Sequence, residues 1–184
     1  RHLMYNGYKA TRDPAPEEFK IQRQAIVPIL KTMNICVIEK EGYEGDDIIG
    51  TLATQGSKQG YQVNIMTGDK DMMQLVDEHI HVYKRNTKTK TDDVITPKTF
   101  YEKYELQPDQ MRDLLGLMGD SADNIPGIPG VGEKTALKLL HEYQTIENLK
   151  DHCSEIKGKM GEKIRENIEL GIQSKQIATI LKDI

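Results

Sequence analysis

The spacing of apolar residues changes several times along the chain, and each change predicts an element. Between residues 19 and 33, Phe19, Ile21, Ala25, Ile26, Ile29, Leu30 and Met33 fall near helical spacing, with Pro28 discordant, so a kinked helix is predicted there. The unbroken run Ile35, Cys36, Val37 and Ile38 suits a buried strand, and the Lys-Glu-Gly at 40–42 a turn. A helix is expected over 46–59, with Ile48, Ile49, Leu52 and Ala53 inward and Gly60 stopping it before a β-branched strand at 61–66. Strand, helix and strand at this spacing predict a parallel α/β sheet. A further strand is predicted at 79–84 and a Lys/Thr-rich loop at 85–93. From Pro97 onward helical patterns dominate, over 108–118 (Met111, Leu114, Leu115, Met118), over 133–143, and more weakly over 159–172 and 174–181. The expected fold is therefore α/β, a mostly parallel sheet with flanking helices, followed by a helical region.

Composition narrows the function classes. The 184 residues carry 25 Lys and Arg against 29 Asp and Glu, for a net charge of −4, as expected of one soluble domain or a pair of lobes. No uncharged apolar run approaches the ~20 residues that span a bilayer, which excludes a transmembrane reading and a membrane partner. Cys36 and Cys153 lie far apart, outside any CxxC or His/Cys cluster, so neither a disulfide scaffold nor a structural zinc site is supported and a reducing, cytoplasmic compartment is expected. The chain opens on Arg1 rather than Met, without a signal-like apolar stretch, and reads as part of something longer. Residues 1–18, with Arg1, Lys9 and Arg12 against Asp13, Glu17 and Glu18, and with Pro14 and Pro16 breaking any early helix, read as a mobile basic segment.

The candidate chemistry lies in the acids, which gather at three junctions. Glu44, Asp46 and Asp47 follow the 35–38 run, Asp69 and Asp71 follow the 61–66 strand, and Asp120 and Asp123 stand three apart later. In a parallel sheet, turns at the carboxyl ends of adjacent strands converge on one crevice, so five of these acids are expected on one edge. Crowded carboxylates raise one another's pKa unless a positive charge sits among them. An all-oxygen donor set without His or Cys favours Mg²⁺ or Mn²⁺, and two such ions about 4 Å apart are suited to hydrolysing a phosphodiester. Capping and turn roles account for each motif taken singly, though less well for all three together. A calcium loop starting at Asp69 fails, because Gln74 stands where the required Gly belongs and Ile80 where the terminal Glu belongs.

Two further features suit a nucleic-acid substrate. Gly127, Gly130 and Gly132 form a predicted tight turn just before a helix, where glycines allow close approach and helix-start amides attract phosphate, with Lys134 and Thr135 beside it. Tyr8, Lys9 and Arg12 offer an aromatic face and two cations suited to stacking a base and holding single-stranded phosphates. Either could instead be an ordinary helix connection or a solvated loop. The acidic net charge does not oppose the reading, because phosphate binding depends on local patches.

YKATRDPAPEEF at 8–19, GYEGDDIIGTLA at 42–53, TGDKDMMQLV at 67–76, MGDSADNIPGIPGVGEKTALKLL at 118–140 and SKQIATI at 174–180 together resemble the 5′-nuclease domains of bacterial DNA polymerase I, members of the flap endonuclease family. The resemblance covers essentially the whole chain. It implies a PIN-like nuclease core over 1–96 and a helical region over 97–184, with a helix-three-turn-helix DNA-binding element at about 112–141. It implies metal roles for Glu44, Asp46, Asp47, Asp69, Asp71, Asp120 and Asp123, and catalytic roles for Lys9 and Arg12 at the arch that passes the 5′ single strand. Tyr8, Lys9, Arg12, Lys70, Gly127, Gly130, Gly132, Lys134 and Thr135 become the expected DNA contacts, with K⁺ at the hairpin. The implied activity is Mg²⁺-dependent, structure-directed removal of 5′ flaps and RNA primers in replication and repair, by a monomer whose natural chain carries a polymerase domain. Gly45 replaces the family's usual Ala. The family's opening Asp-bearing strand and a second Asp before the arch are absent, so an upstream segment is expected. The rival reading is a non-catalytic DNA-junction-binding module; an RNA-directed nuclease is disfavoured by the hairpin.

Overall fold

The computed structural model describes residues 1–86 and 90–184. Its elements are α1 (Glu17–Thr32), α2 (Gly45–Lys58), β1 (Val63–Met66), β2 (Ile80–Arg85), β3 (Asp92–Ile95), α3 (Pro97–Tyr104), α4 (Met111–Met118), α5 (Glu133–Tyr143), α6 (Ile146–His152) and α7 (Gly158–Ala178). β1 pairs in parallel with β2, Val63 opposite Ile80, and β2 pairs antiparallel with β3, Val82 opposite Ile95. The parallel crossover over 67–79 is made by a 3-10 turn, Asp71–Leu75, instead of a full helix.

The predicted α/β-then-helical order holds, with differences that have physical causes. Residues 35–38 form no strand: no ladder partner reaches them among the described residues, and Ile35, Cys36 and Ile38 are exposed. The partner of β1 is β2, so the crevice expected between two parallel strands takes another form. The helix predicted over 108–118 divides into a 3-10 turn, Pro108–Gln110, and α4, because the proline opens a tight turn. The two weak C-terminal helices are one, α7. Ser174, at the expected start of the second, is an inward position whose hydroxyl donates to the Leu170 carbonyl and accepts from the Gly127 amide. The loop predicted over 85–93 falls partly outside the described residues, and its two ends lie in β2 and β3, joined by an Arg85–Asp92 ion pair at 3.1 Å.

Apolar burial is organised in two clusters. The larger fills the helical region around Phe100, Leu114, Leu115, Ile128, Leu140 and Ile164. The smaller lies between α2 and the sheet, around Ala53, Ile65, Met72, Ile80 and Val82, and it receives Ile180 from the segment leaving α7. α1 forms as predicted but buries no residue, leaving Phe19, Ile21, Ile26 and Ile29 exposed. The opening segment is anchored and not loose: the Lys9 amide donates to the Asp123 carbonyl, the Asn124 amide group to Gly7, and the Gln173 side chain to Met4. No helix among the described residues is long and apolar enough to cross a membrane.

Candidate active site

Three turns bring the acids to one end of the sheet. Glu44 sits at the N-cap of α2 with Asp46 and Asp47 in the first turn, where carboxylates complement the positive helix end. Beyond β1 the chain turns on side-chain bonds: the Asp69 amide donates to Thr67 Oγ1 at 3.0 Å and the Asp71 amide to Asp69 Oδ1 at 2.9 Å. After α4, Asp120 and Ile125 exchange both backbone bonds, at 2.9 and 2.8 Å, closing a small loop that presents Asp123.

Asp46, Asp71 and Asp123 line one narrow cleft with Tyr8 and Arg1. Asp71 is only 9% exposed, and its Oδ1 has no hydrogen-bond partner among the described residues. Its carboxyl is pushed up to about 7, first by burial and then by the charges of Asp69, Asp120 and Asp123 against the single relief of Lys70. Burial and then Asp69 also raise Asp46. An oxygen-only donor set with one orphaned, strained carboxylate is the chemistry that suits a hard divalent cation. As the side chains stand, no group of three acids among the described residues is gathered closely enough to hold an ion. Cations sit among them instead: Lys9 Nζ lies 2.6 Å from Glu44 and 3.6 Å from Asp123, Arg12 pairs with Asp123, and Lys70 Nζ is 3.2 Å from Asp120.

Asp47 is placed differently. It is 2% exposed and turned from the cleft onto the Arg1 guanidinium, at 2.8 Å from each oxygen. Burial pushes its carboxyl up, but the Arg1 bonds and the Leu181 amide outweigh this and hold it below the ordinary range. Tyr8 also departs from expectation. Its ring is 3% exposed and cannot stack a base; instead its hydroxyl bridges Glu44 and Asp123, 3.1 Å from each. Sequence reasoning missed Arg1, whose partner Asp47 lies 46 positions away and leaves no local spacing to read.

In the hairpin, Gly127 is buried with φ +62°, and its amide is committed to Ser174, so it is unavailable to phosphate. Gly130 and Gly132 are exposed, and Gly132 caps α5 without a side chain. Lys134 is exposed and Thr135 half-buried beside them. Lys163 of α7 overhangs the Gly130 turn, with its Nζ 2.9 Å from where a Cβ would sit, adding a cation to this face.

Residues 1–105 match the family model for the 5′-3′ exonuclease N-terminal resolvase-like domain, and residues 106–184 that for the 5′-3′ exonuclease C-terminal SAM fold. The chain is 42% identical over 184 residues to DNA polymerase I of Bacillus caldotenax and equally to that of Bacillus subtilis strain 168, covering all of this chain and 21% of each relative. It therefore spans about a fifth of those relatives' length. Among solved structures, a mutant T5 5′-exonuclease aligns with a TM-score of 0.77 at 18% identity, over 96% of this chain and 67% of that one. The catalytic core of Rad2 in complex with DNA aligns at 0.65 and 14% identity, over 100% of this chain and 62% of that one. With both halves matched in order, the chain belongs to the 5′-3′ exonuclease family.

Proposed function

We propose that the chain is the catalytic part of a structure-directed 5′-nuclease that hydrolyses phosphodiester bonds at 5′ flaps, nicks and RNA primers during DNA replication and repair. The observation that carries this is the cleft shared by Asp46, Asp71 and Asp123, in which Asp71 is buried with an unpartnered oxygen. Solved T5 exonuclease structures with divalent metal ions bound, and nuclease structures bound to DNA, support it. Glu44, Asp46, Asp69, Asp71, Asp120 and Asp123 are the residues that would hold the metal. When bound, two Mg²⁺ or Mn²⁺ ions supply an activated water and charge stabilisation at the leaving oxygen.

The chain's own residues do the rest. Lys9 and Arg12, now resting on Glu44 and Asp123, exchange those carboxylates for substrate phosphate oxygens and neutralise charge that develops there. Lys70 stands beside Asp120 at the same mouth. Gly130, Gly132, Lys134 and Thr135 hold the duplex backbone within a helix-three-turn-helix element at about 112–141, whose hairpin would be the place for K⁺. The division into a nuclease core over 1–96 and a helical region over 97–184 belongs to the same reading, as do a monomeric state, a cytoplasmic location and a polymerase domain on the natural chain.

The test is cleavage of a 5′-labelled flap by this chain with Mg²⁺ and with chelator. Metal-dependent cutting near the junction, abolished by Asp69→Ala with junction binding retained, is expected; full activity in that variant would remove Asp69 from the metal site. That no three acids among the described residues are gathered for one ion favours a second reading, a non-catalytic junction binder. Binding without cutting by the unmodified chain would select it. Lys134→Ala is expected to weaken binding uniformly across sequences and to reduce the slope of log affinity against log salt by about 1. A slope equal to that of the unmodified chain would take Lys134 out of the interface.

A further inference from the structure

The bonds around Asp47 leave no room for an ion. Its Oδ1 accepts from Arg1 Nη2 at 2.8 Å and from the Leu181 amide at 3.0 Å; its Oδ2 accepts from Arg1 Nη1 at 2.8 Å and from the Glu44 amide at 3.3 Å. A carboxylate offers about four acceptor positions, and all are used. The same guanidinium reaches further: Nε donates to the Ile177 carbonyl at 2.9 Å and Nη2 to the Thr179 carbonyl at 3.0 Å. Arg1 thus ties the first turn of α2, which carries Glu44 and Asp46, to the segment leaving α7.

That segment is fastened to the second acid-bearing turn as well. Gln74, buried at the end of the 3-10 turn that begins with Asp71, donates to the Ala178 carbonyl at 3.0 Å and accepts from the Ile180 amide at 2.9 Å. One short stretch, 177–181, therefore holds the Glu44/Asp46 turn by Arg1 and Asp47 and the Asp69/Asp71 turn by Gln74.

Resting on the nuclease reading above, we propose that Arg1, Asp47 and Gln74 are positioning residues, and that the 177–181 strap sets the spacing between the two acid-bearing turns, with Asp47 outside the metal ligands. A planar, forked guanidinium is required, because the carboxylate and two carbonyls are bound in fixed directions; a lysine ammonium supplies the charge without that geometry. Partners that orient ligands typically change metal affinity 10–100-fold when altered, without changing the number of ions held.

Two measurements on the 184-residue chain decide this. The first is Mn²⁺ binding followed by electron paramagnetic resonance, well below each variant's melting temperature. Arg1→Lys and Asp47→Asn are expected to bind the same number of ions as the unmodified chain with roughly 10–100-fold weaker affinity, whereas Asp71→Asn loses an ion. An ion lost in Asp47→Asn would make it a ligand, and unchanged affinity in both variants would make the pair merely structural; either overturns the proposal. The second is hydrogen exchange of the metal-free chain. Arg1→Lys is expected to speed exchange across 71–76, a segment that is bonded to the strap through Gln74, whereas the Arg1 side chain bonds to Asp47, Glu44, Ile177 and Thr179. Faster exchange confined to 44–48 would overturn the strap. If the unmodified chain binds no Mn²⁺, the metal reading falls, while the exchange result still judges the strap.

Discussion

Asp71→Asn is expected to raise the stability of the metal-free chain at pH 8 by up to about 4 kcal/mol while abolishing cleavage. The stability gain follows from linkage. An Asp in the unfolded chain titrates near 3.9, whereas burial and the neighbouring acids push Asp71 up to about 7. The folded state therefore binds a proton more readily, so the folded chain loses stability as pH rises from about 4 to about 7 and carries the full penalty above that. About three units at 1.36 kcal/mol each set the limit. An Asn at this site removes the charge that burial and the neighbouring acids Asp69 and Asp120 oppose. Thermal melts at pH 5 and pH 8 check it: the unmodified chain is expected to lose stability between them and the variant to lose much less. Equal pH dependence in the two proteins would mean that Asp71 is not the group under strain. Divalent cations should raise the melting temperature of the unmodified chain at pH 8 and leave the variant little changed.

Gly127→Ala is expected to destabilise the chain by roughly 3–5 kcal/mol, combining left-handed backbone strain with overpacking. At φ +62° its Cβ would lie 2.3 Å from the Gly119 nitrogen and 2.6 Å from the Met118 carbonyl carbon, all main-chain atoms that cannot rotate aside. Relief requires the hairpin to shift from Gly119, which moves the Asp120–Ile125 bridge and with it Asp123. Junction binding and cleavage should fall together. Gly132→Ala is the contrast: a Cβ there meets nothing within 4 Å and φ is −93°, so the change should stay within about 1 kcal/mol. Denaturant unfolding of both variants checks the difference; similar losses would mean that the Gly119–Gly127 contact does not carry the hairpin.

Much of this was legible in the sequence where a local pattern settles the structure. α5 lies at its predicted 133–143, because one apolar face, a glycine start and uninterrupted helix formers agree. α2 and β1 lie within two residues of prediction for the same reason. The run Ile35 to Ile38 misled because a strand needs a neighbour, and apolar composition alone cannot supply one. The break expected between 172 and 174 misled in the opposite sense, because the neighbouring Ser174 is a polar residue buried with a partner 47 positions away. In the site, the residue types announced a hard-cation chemistry, but their orientation depended on distant partners. Tyr8 faces inward onto two acids, and Asp47 faces Arg1, which no spacing rule connects.

The return of the chain after α7 also bears on where the protein could be divided. Ile180 completes the apolar cluster beneath the sheet, the Leu181 amide caps Asp47, and the Ile184 amide donates to Thr51 Oγ1 in α2 at 3.2 Å. The two regions recognised as separate family modules, meeting at residues 105 and 106, thus share core and hydrogen bonds across that boundary. A fragment ending at 105 would surrender a wall of its own core, and the halves should melt in one transition, each supplying what the other lacks.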